Sequence, residues 1–320
     1  MTWLRERPLS LQWINPGLRT VAAMARQLPS CRAHARRTER LGRHVPYGSD
    51  GNRAQVLDIF APKDRTEPLP VVLYIHGGGF SLAAKETHTH VVQRIAAAGY
   101  VVFNIDYRLG AEGAFPAGLE DSCAALHWVL DHAADYGGDP ERLAYAGESA
   151  GANLILALSL VGAHRFPAPF AQALYERHPK PLAILPACGM LEVHRAERFI
   201  DNEALRPLFR KRIAAVCRGY LRNQVADDML ASPLAVLEGF DELPARGFPA
   251  IYTVCGGADP ILDDSDRLEA ARQRLGIEGG YHVEPDQVHA YHLFPWLAAT
   301  PSAWQRQLDF LDRIVAPSGI

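Results

Sequence analysis

With 320 residues, 48% of them hydrophobic, the chain can bury a sizeable core and reads as one large α/β domain with an elaboration. Its formal net charge of -3 argues against the concentrated basic surface that a phosphate backbone needs, so no nucleic-acid partner is expected and a small-molecule partner is. Five scattered cysteines without a C-x-x-C pair argue against a disulfide framework or a zinc site, and they fit a reducing cytoplasm.

Residues 1–43 carry nine arginines against Glu6 and Glu39, with Trp3, Leu4, Leu9, Leu11, Trp13 and Ile14 interspersed. No continuous apolar stretch follows the charges, as a signal peptide would require, and no apolar run in the chain is long enough to span a membrane. The segment lacks strand character and predicts a helical arm broken at Pro16-Gly17 and at Pro29. Packing over a ligand site is its expected role; lying on a membrane surface is the alternative. Next, His44 to Tyr47 and the alternating run Gln55 to Phe60 flank the turn Gly48-Ser49-Asp50-Gly51-Asn52 and predict a hairpin.

From Leu69 the rhythm changes to short apolar runs alternating with helical segments, the signature of βαβ units and a mostly parallel sheet. Strands are expected at Val71–Ile75, Val101–Ile105, Leu143–Ala146, Ala183–Pro186, Ala250–Val254 and Tyr281–Val283. Helices are expected near His88–Ala98, Leu119–Ala133, Ala152–Val161, Ser265–Leu275 and Ser302–Val315. The alternation is interrupted once, by the charged, helix-forming stretch Glu192 to Asp228, which reads as an insertion above the sheet. The expected organisation is therefore an arm over 1–43, a sheet domain over 44–189 and 231–320, and an insertion over 190–230.

Two glycine-rich segments stand where strands should end. Gly147-Glu148-Ser149-Ala150-Gly151 joins a strand to an apolar helix, a sharp turn that lifts its serine clear of the sheet at a helix N-terminus. His76-Gly77-Gly78-Gly79-Phe80 follows the first parallel strand, and its glycines leave backbone N–H groups able to point into a cavity and hold an oxyanion. A nucleophilic Ser149 needs a base and an orienting acid. Asp259, in the loop after Ala250–Val254, is the acid expected; Asp263, Asp264 and Asp266 are rivals that begin the next helix. His289, in the loop after the last strand, is the base expected, with His292 its rival. His88 and His90 have H-x-H spacing without an accompanying carboxylate or cysteine cluster, so no metal site is expected there.

The order Ser149, Asp259, His289, together with further motifs, resembles the hormone-sensitive-lipase-like (bacterial type IV) carboxylesterases of the α/β-hydrolase superfamily. The matching stretches are His76 to Phe80, Asp106-Tyr107-Arg108-Leu109, Phe115 to Asp121, Gly137-Gly138-Asp139-Pro140, Gly147 to Gly151, Ser232-Pro233-Leu234 and Asp259 to Asp263. The resemblance implies an α/β-hydrolase fold with a helical cap formed by the arm and the insertion, and oxyanion donors from Gly77, Gly78 and Ala150. It implies a cofactor-free serine esterase acting on short- to medium-chain carboxylic esters, with an amidase or formamidase, or a ligand-binding receptor on the same fold, as alternatives. A small-molecule ester partner is expected, with room for a homodimer. The chain departs from the family pattern at Gly110-Ala111-Glu112, where Ala-Pro-Glu is usual, and at Ala152, where a second glycine is usual; packing around Gly113 and Ala152 is where these departures should be felt.

Overall fold

The structure, a computed structural model, describes residues 9–49, 51–222 and 229–315. Its strands are β1 (Thr38–Pro46), β2 (Val56–Pro62), β3 (Leu69–Ile75), β4 (Val101–Ile105), β5 (Gly138–Glu148), β6 (Ala183–Ala187), β7 (Ala250–Gly256) and β8 (Gly279–Glu284). Its helices are α1 (Leu9–Ala25), α2 (Pro29–Arg37), α3 (Thr89–Ala97), α4 (Ala117–His132), α5 (Ala150–Ala163), α6 (Pro169–Arg177), α7 (Glu197–Ile200), α8 (Pro207–Leu221), α9 (Pro233–Glu238), α10 (Leu262–Arg274) and α11 (Thr300–Val315). One sheet holds the strands in the order β1-β2-β4-β3-β5-β6-β7-β8. The β1–β2 and β2–β4 pairings are antiparallel and the remaining ones parallel, so the mostly parallel sheet expected from the sequence is present.

The central strands are mostly apolar and buried because helices cover both faces of the sheet. Val71, Leu73 and Ile75 of β3 join the core shared with Leu119 and Leu126 of α4 and Leu154 and Leu158 of α5. Val72 and Tyr74, on the opposite face, join Val92 and Ile95 of α3 and Trp304 and Leu311 of α11. Alternate residues of one strand thus feed two cores, and the C-terminal edge of the sheet is left for the glycine-rich segments.

Two expectations are corrected. The 1–43 segment does contain strand, since β1 begins at Thr38. As an edge strand it needs few apolar residues: Arg40 lies over the Phe60 ring, 5.0 Å from its centroid, and 3.7 Å from Asp58. Pro16 does not break the arm either, because α1 runs through it. Asn15 Oδ1 accepts the Ala83 N–H at 2.9 Å, so the helix is docked where its own hydrogen-bond ladder is weakened. Pro29, by contrast, does start a new helix, at its first turn. The side chains of Leu11, Trp13 and Ile14, residues 1–8 and the insertion's 223–228 lie outside the described residues. Within the insertion, α7 and α8 replace sheet. Before it, α6, which the sequence reading did not separate, buries Ala171 and Leu174 in the core around α5.

Candidate active site

The strand-turn-helix at Ser149 is tight. The serine has φ 55° and ψ -113°, a backbone conformation that L-residues adopt only under constraint. Close packing on both sides imposes it: a Cβ on Gly151 would stand 2.0 Å from the Ile75 carbonyl oxygen, and one on Gly147 2.7 Å from the same atom. The Ser149 N–H donates to the Ala187 carbonyl at 3.0 Å, while its own carbonyl accepts the N–H of Met190 at 3.1 Å and of Asn153 at 3.2 Å. β3, β6 and α5 therefore hold the turn from three sides.

The loops after β7 and β8 are brought together at Gly256, where a Cβ would collide with the Gln287 carbonyl oxygen at 2.2 Å. That approach places Asp259 against His289. Asp259 Oδ2 lies 2.8 Å from His289 Nδ1, and His289 Nε2 lies 3.0 Å from Ser149 Oγ. Asp259 Oδ1 accepts the Ile261 N–H at 2.9 Å, which fixes the carboxylate from behind. Burial alone would lower the imidazole's pKa, but the charge and hydrogen bond of Asp259 outweigh it, so the pKa of His289 lies above its usual value of 6.5.

The rivals lie elsewhere. His292 sits in a 3-10 turn, packed edge-on against Trp304, and burial pulls its pKa down to about 4. Asp264 is buried at the start of α10, where Oδ2 accepts the N–H groups of Leu191 and Glu192 and Oδ1 pairs with Arg198. It anchors the insertion. Asp263 also pairs with Arg198, and Asp266 accepts from the Tyr281 hydroxyl at 2.8 Å.

Of the expected oxyanion donors, Gly77 is corrected: its N–H is donated to Glu148 Oε1. An N–H committed to a buried carboxylate cannot also receive a developing oxyanion. Gly78 and Gly79 both line the cavity above Ser149, and among the described residues neither N–H has a protein acceptor. Gly79, not Gly77, is therefore the glycine beside Gly78 whose N–H is left without an acceptor. Ala150 N–H is the first of α5, where no preceding turn supplies an acceptor.

Glu148 sits behind the glycine loop, and sequence reasoning missed its partner there, His88. The Glu148 carboxylate accepts from Gly77 N–H, from the Tyr74 hydroxyl at 2.6 Å, and lies 2.9 Å from His88 Nε2. Burial opposes its ionisation, but His88, Tyr74 and Gly77 together bring its pKa down to about 2. His88 in turn stacks on His76, and His76 on Tyr107, whose hydroxyl donates to the His76 carbonyl at 2.9 Å. Asp106 and Tyr107 therefore brace the glycine loop from behind, through His76, whereas Arg108 forks onto Asp121 of α4. The signal available in the sequence was the acidic residue beside the serine, a position next to the glycine loop once both segments share one sheet edge.

A cavity of about 390 Å³ opens over Ser149. Its walls are largely apolar, with Leu18 from α1, Phe209, Ile213 and Val216 from α8, and Met190, Ile261 and Leu293 from the body. Ligand atoms of Cys188, Asp259 and His289 lie within 4.8 Å of one another, a grouping that could in principle hold a metal ion. Burial keeps the Cys188 thiol protonated, its pKa well above the usual thiol value, which suits packing behind the carboxylate better than metal ligation. The five cysteines are all unpaired and buried.

A family profile described as alpha/beta hydrolase fold matches residues 72–293. Among curated proteins, the chain is 32% identical to the carboxylesterase NlhH of Mycobacterium tuberculosis, over 83% of this chain and 80% of that one. It is 30% identical to the esterase LipI of the same organism, over 87% and 82%. Among solved structures, it is similar to an esterase from the bacterial hormone-sensitive lipase family, with a TM-score of 0.68 and 28% identity over 94% of this chain and 99% of that one.

Proposed function

This chain belongs to the α/β-hydrolase fold family and within it to the hormone-sensitive-lipase-like carboxylesterases, and on that footing we propose that it hydrolyses short- to medium-chain carboxylic esters with Ser149, His289 and Asp259 as catalytic residues. The observation that carries the reading is the continuous hydrogen-bonded line from Asp259 through His289 to Ser149 Oγ, at the floor of a largely apolar cavity. His289, neutral at Nε2, takes the Ser149 proton as Oγ attacks the ester carbonyl. The N–H groups of Gly78, Gly79 and Ala150 hold the oxyanion. His289 then gives the proton to the departing alcohol, and a water molecule, activated in the same way, releases the acyl group as the acid. Asp259 orients the ring and stabilises its protonated form. Apart from the hydrolytic water, every step uses groups of the chain itself, so the reading calls for no cofactor.

The arm and the 190–230 insertion act in this reading as a cap, supported by Leu18 on one side of the cavity and Phe209, Ile213 and Val216 on the other. A cytoplasmic setting is part of the proposal, supported by five unpaired cysteines; among the described residues no helix is long and apolar enough to cross a membrane. Ser149→Ala tests the core of the reading. Its kcat on a short-chain ester should fall by roughly ten-thousand- to million-fold with an unchanged Tm, and an organophosphate should label the wild type and not the variant. Substantial residual turnover would remove Ser149 from the chemistry.

A further inference from the structure

Helix α8 presents Phe209, Arg212, Ile213 and Val216 to the cavity, a spacing of three and four residues that puts them on one face. Three of the four are apolar, as a helix packed over an apolar pocket should be. Arg212 interrupts that stripe. Its Nη2 lies 3.7 Å from the point where a Cβ on Gly79 would stand, so the guanidinium reaches down beside the glycine loop.

The charged groups lining the cavity are His88, Glu148, His289 and Arg212. Glu148 is held by His88, and His289 by Asp259. Arg212 alone has no ion pair or hydrogen bond among the described residues. Burial is the single influence on its pKa, and that influence is downward. Other arginines of the insertion are differently placed: Arg198 pairs with Asp263 and Asp264, Arg195 with Glu192, Arg210 donates to the Ile200 carbonyl, and Arg206, Arg218 and Arg222 are exposed. A guanidinium stays protonated even when partly desolvated, and a desolvated cation in an apolar wall lowers its free energy by meeting an anion. The fork of N–H donors matches a carboxylate in particular.

We infer that the cavity receives an ester bearing a second, ionised carboxylate, which Arg212 grips while Ser149 attacks the ester carbonyl. The inference rests on the esterase reading and narrows its substrate class to half-esters of short dicarboxylic acids or to acyl esters of short hydroxy acids. The chemistry is unchanged: Oγ bonds to the acyl carbon, the alcohol leaves with the proton from His289, and water frees the acid. The carboxylate stays ionised throughout and takes no part in bond making. Its partner is supplied by the cap, so charge selection and closure of the cavity reside on the same helix.

Two matched substrate pairs, followed by base uptake at constant pH, test this. Monoethyl succinate against ethyl isocaproate places the carboxylate or its neutral isostere on the acyl side. β-Acetoxypropionate against isoamyl acetate places it on the alcohol side. In the wild type, the anionic member of one pair should be turned over at least as well as its isostere, and the pair that shows this assigns the side. Arg212→Met should lower kcat/KM for that anionic ester by roughly 10- to 100-fold, as expected for one charged hydrogen-bonded contact. The neutral isostere should change little, Arg212→Lys should keep part of the preference, and Tm should not fall, since the variant removes a charge with no protein partner. An anionic-to-neutral ratio unchanged by Arg212→Met overturns the inference, as do equal losses on both members, which would make Arg212 a support of the glycine loop. Turnover of the neutral esters without preference sinks this inference alone; no turnover of any of the four, with no organophosphate labelling of Ser149, sinks the esterase reading beneath it.

Discussion

His289 and Glu148 both have ionisation equilibria set by neighbours outside their own sequence segment. Only the neutral imidazole accepts the serine proton, so kcat/KM should fall as pH drops through the pKa of His289, with a midpoint above 6.5 because Asp259 raises it. Asp259→Asn removes that charge and leaves burial as the main influence, so the residual activity of the variant should show a midpoint moved to lower pH. A pH-rate profile with the same midpoint in both proteins would uncouple the pair. For Glu148 the linkage runs the other way. Its pKa is depressed from 4.5 to about 2, so the stability it contributes is present above pH 4.5 and is lost as pH falls through about 2. Glu148→Gln should therefore unfold more easily than the wild type at neutral pH, with the gap closing in acid. Its kcat should fall by roughly 10-fold or more with a smaller change in KM, because Gly77 is no longer tied to a charge and the neighbouring donors lose their register; an unchanged kcat would mean that the glycine loop holds itself. The meeting of Ser149, Asp259 and His289 was legible in the sequence because each follows a strand that ends at one sheet edge. The engagement of Gly77 was not legible, since a run of three glycines does not say which N–H faces inward, and the Glu148 contact that occupies it joins segments 71 residues apart.

At the scale of elements, strong periodicity was readable and docking was not. β3 is a continuous apolar run and β4 is apolar but for the buried Asn104, and both lie where they were expected. β1 is half-exposed and charged, and its pairing with β2 has irregular register at Gly42, so its pattern does not alternate cleanly. α1 contains a proline whose cost in an isolated helix is about 3 kcal/mol, and contacts distant in sequence offset it. The departure at Ala152 is matched inside the fold. A Cβ on Gly189 would stand 3.0 Å from the Ala152 methyl, so a glycine faces the methyl and leaves it room. The arm also proves to be two separable pieces: α2 buries Cys31 beside α3 and leads into β1, whereas α1 reaches the cavity through Leu18. A cut after Leu28, sparing α2, is thus the sharper test of the cap than a longer deletion. The shortened protein should still be labelled at Ser149 by an organophosphate, while KM for a medium-chain ester rises and discrimination between acyl lengths weakens. Unchanged KM and selectivity would show that α1 does not roof the site.

For the whole molecule, the sequence indicated a mostly parallel sheet but not its strand order, because the position of β3 between β4 and β5 depends on crossovers that local patterns do not encode. It did indicate where the site would be, since ligands gather at the C-terminal edge of such a sheet whatever the order. What the assembled fold adds is the size of the cavity, and from it a limit on substrate. Each methylene moved from water onto apolar wall contributes about 0.8 kcal/mol, close to a fourfold gain in binding, and only while wall remains. Here the wall is finite, about 390 Å³ between α1, α8 and the body, with Phe209, Ile213 and Leu293 among its apolar surfaces. In a series of p-nitrophenyl esters, kcat/KM should therefore climb from the acetate by up to about fourfold per methylene, peak at a short to medium acyl chain, and decline beyond it as further carbons are left in water or press the cap open. Emulsified long-chain triglycerides should be poor substrates. A steady rise through dodecanoyl esters would mean that the cavity is continuous with a longer channel, and that α8 moves aside to open it.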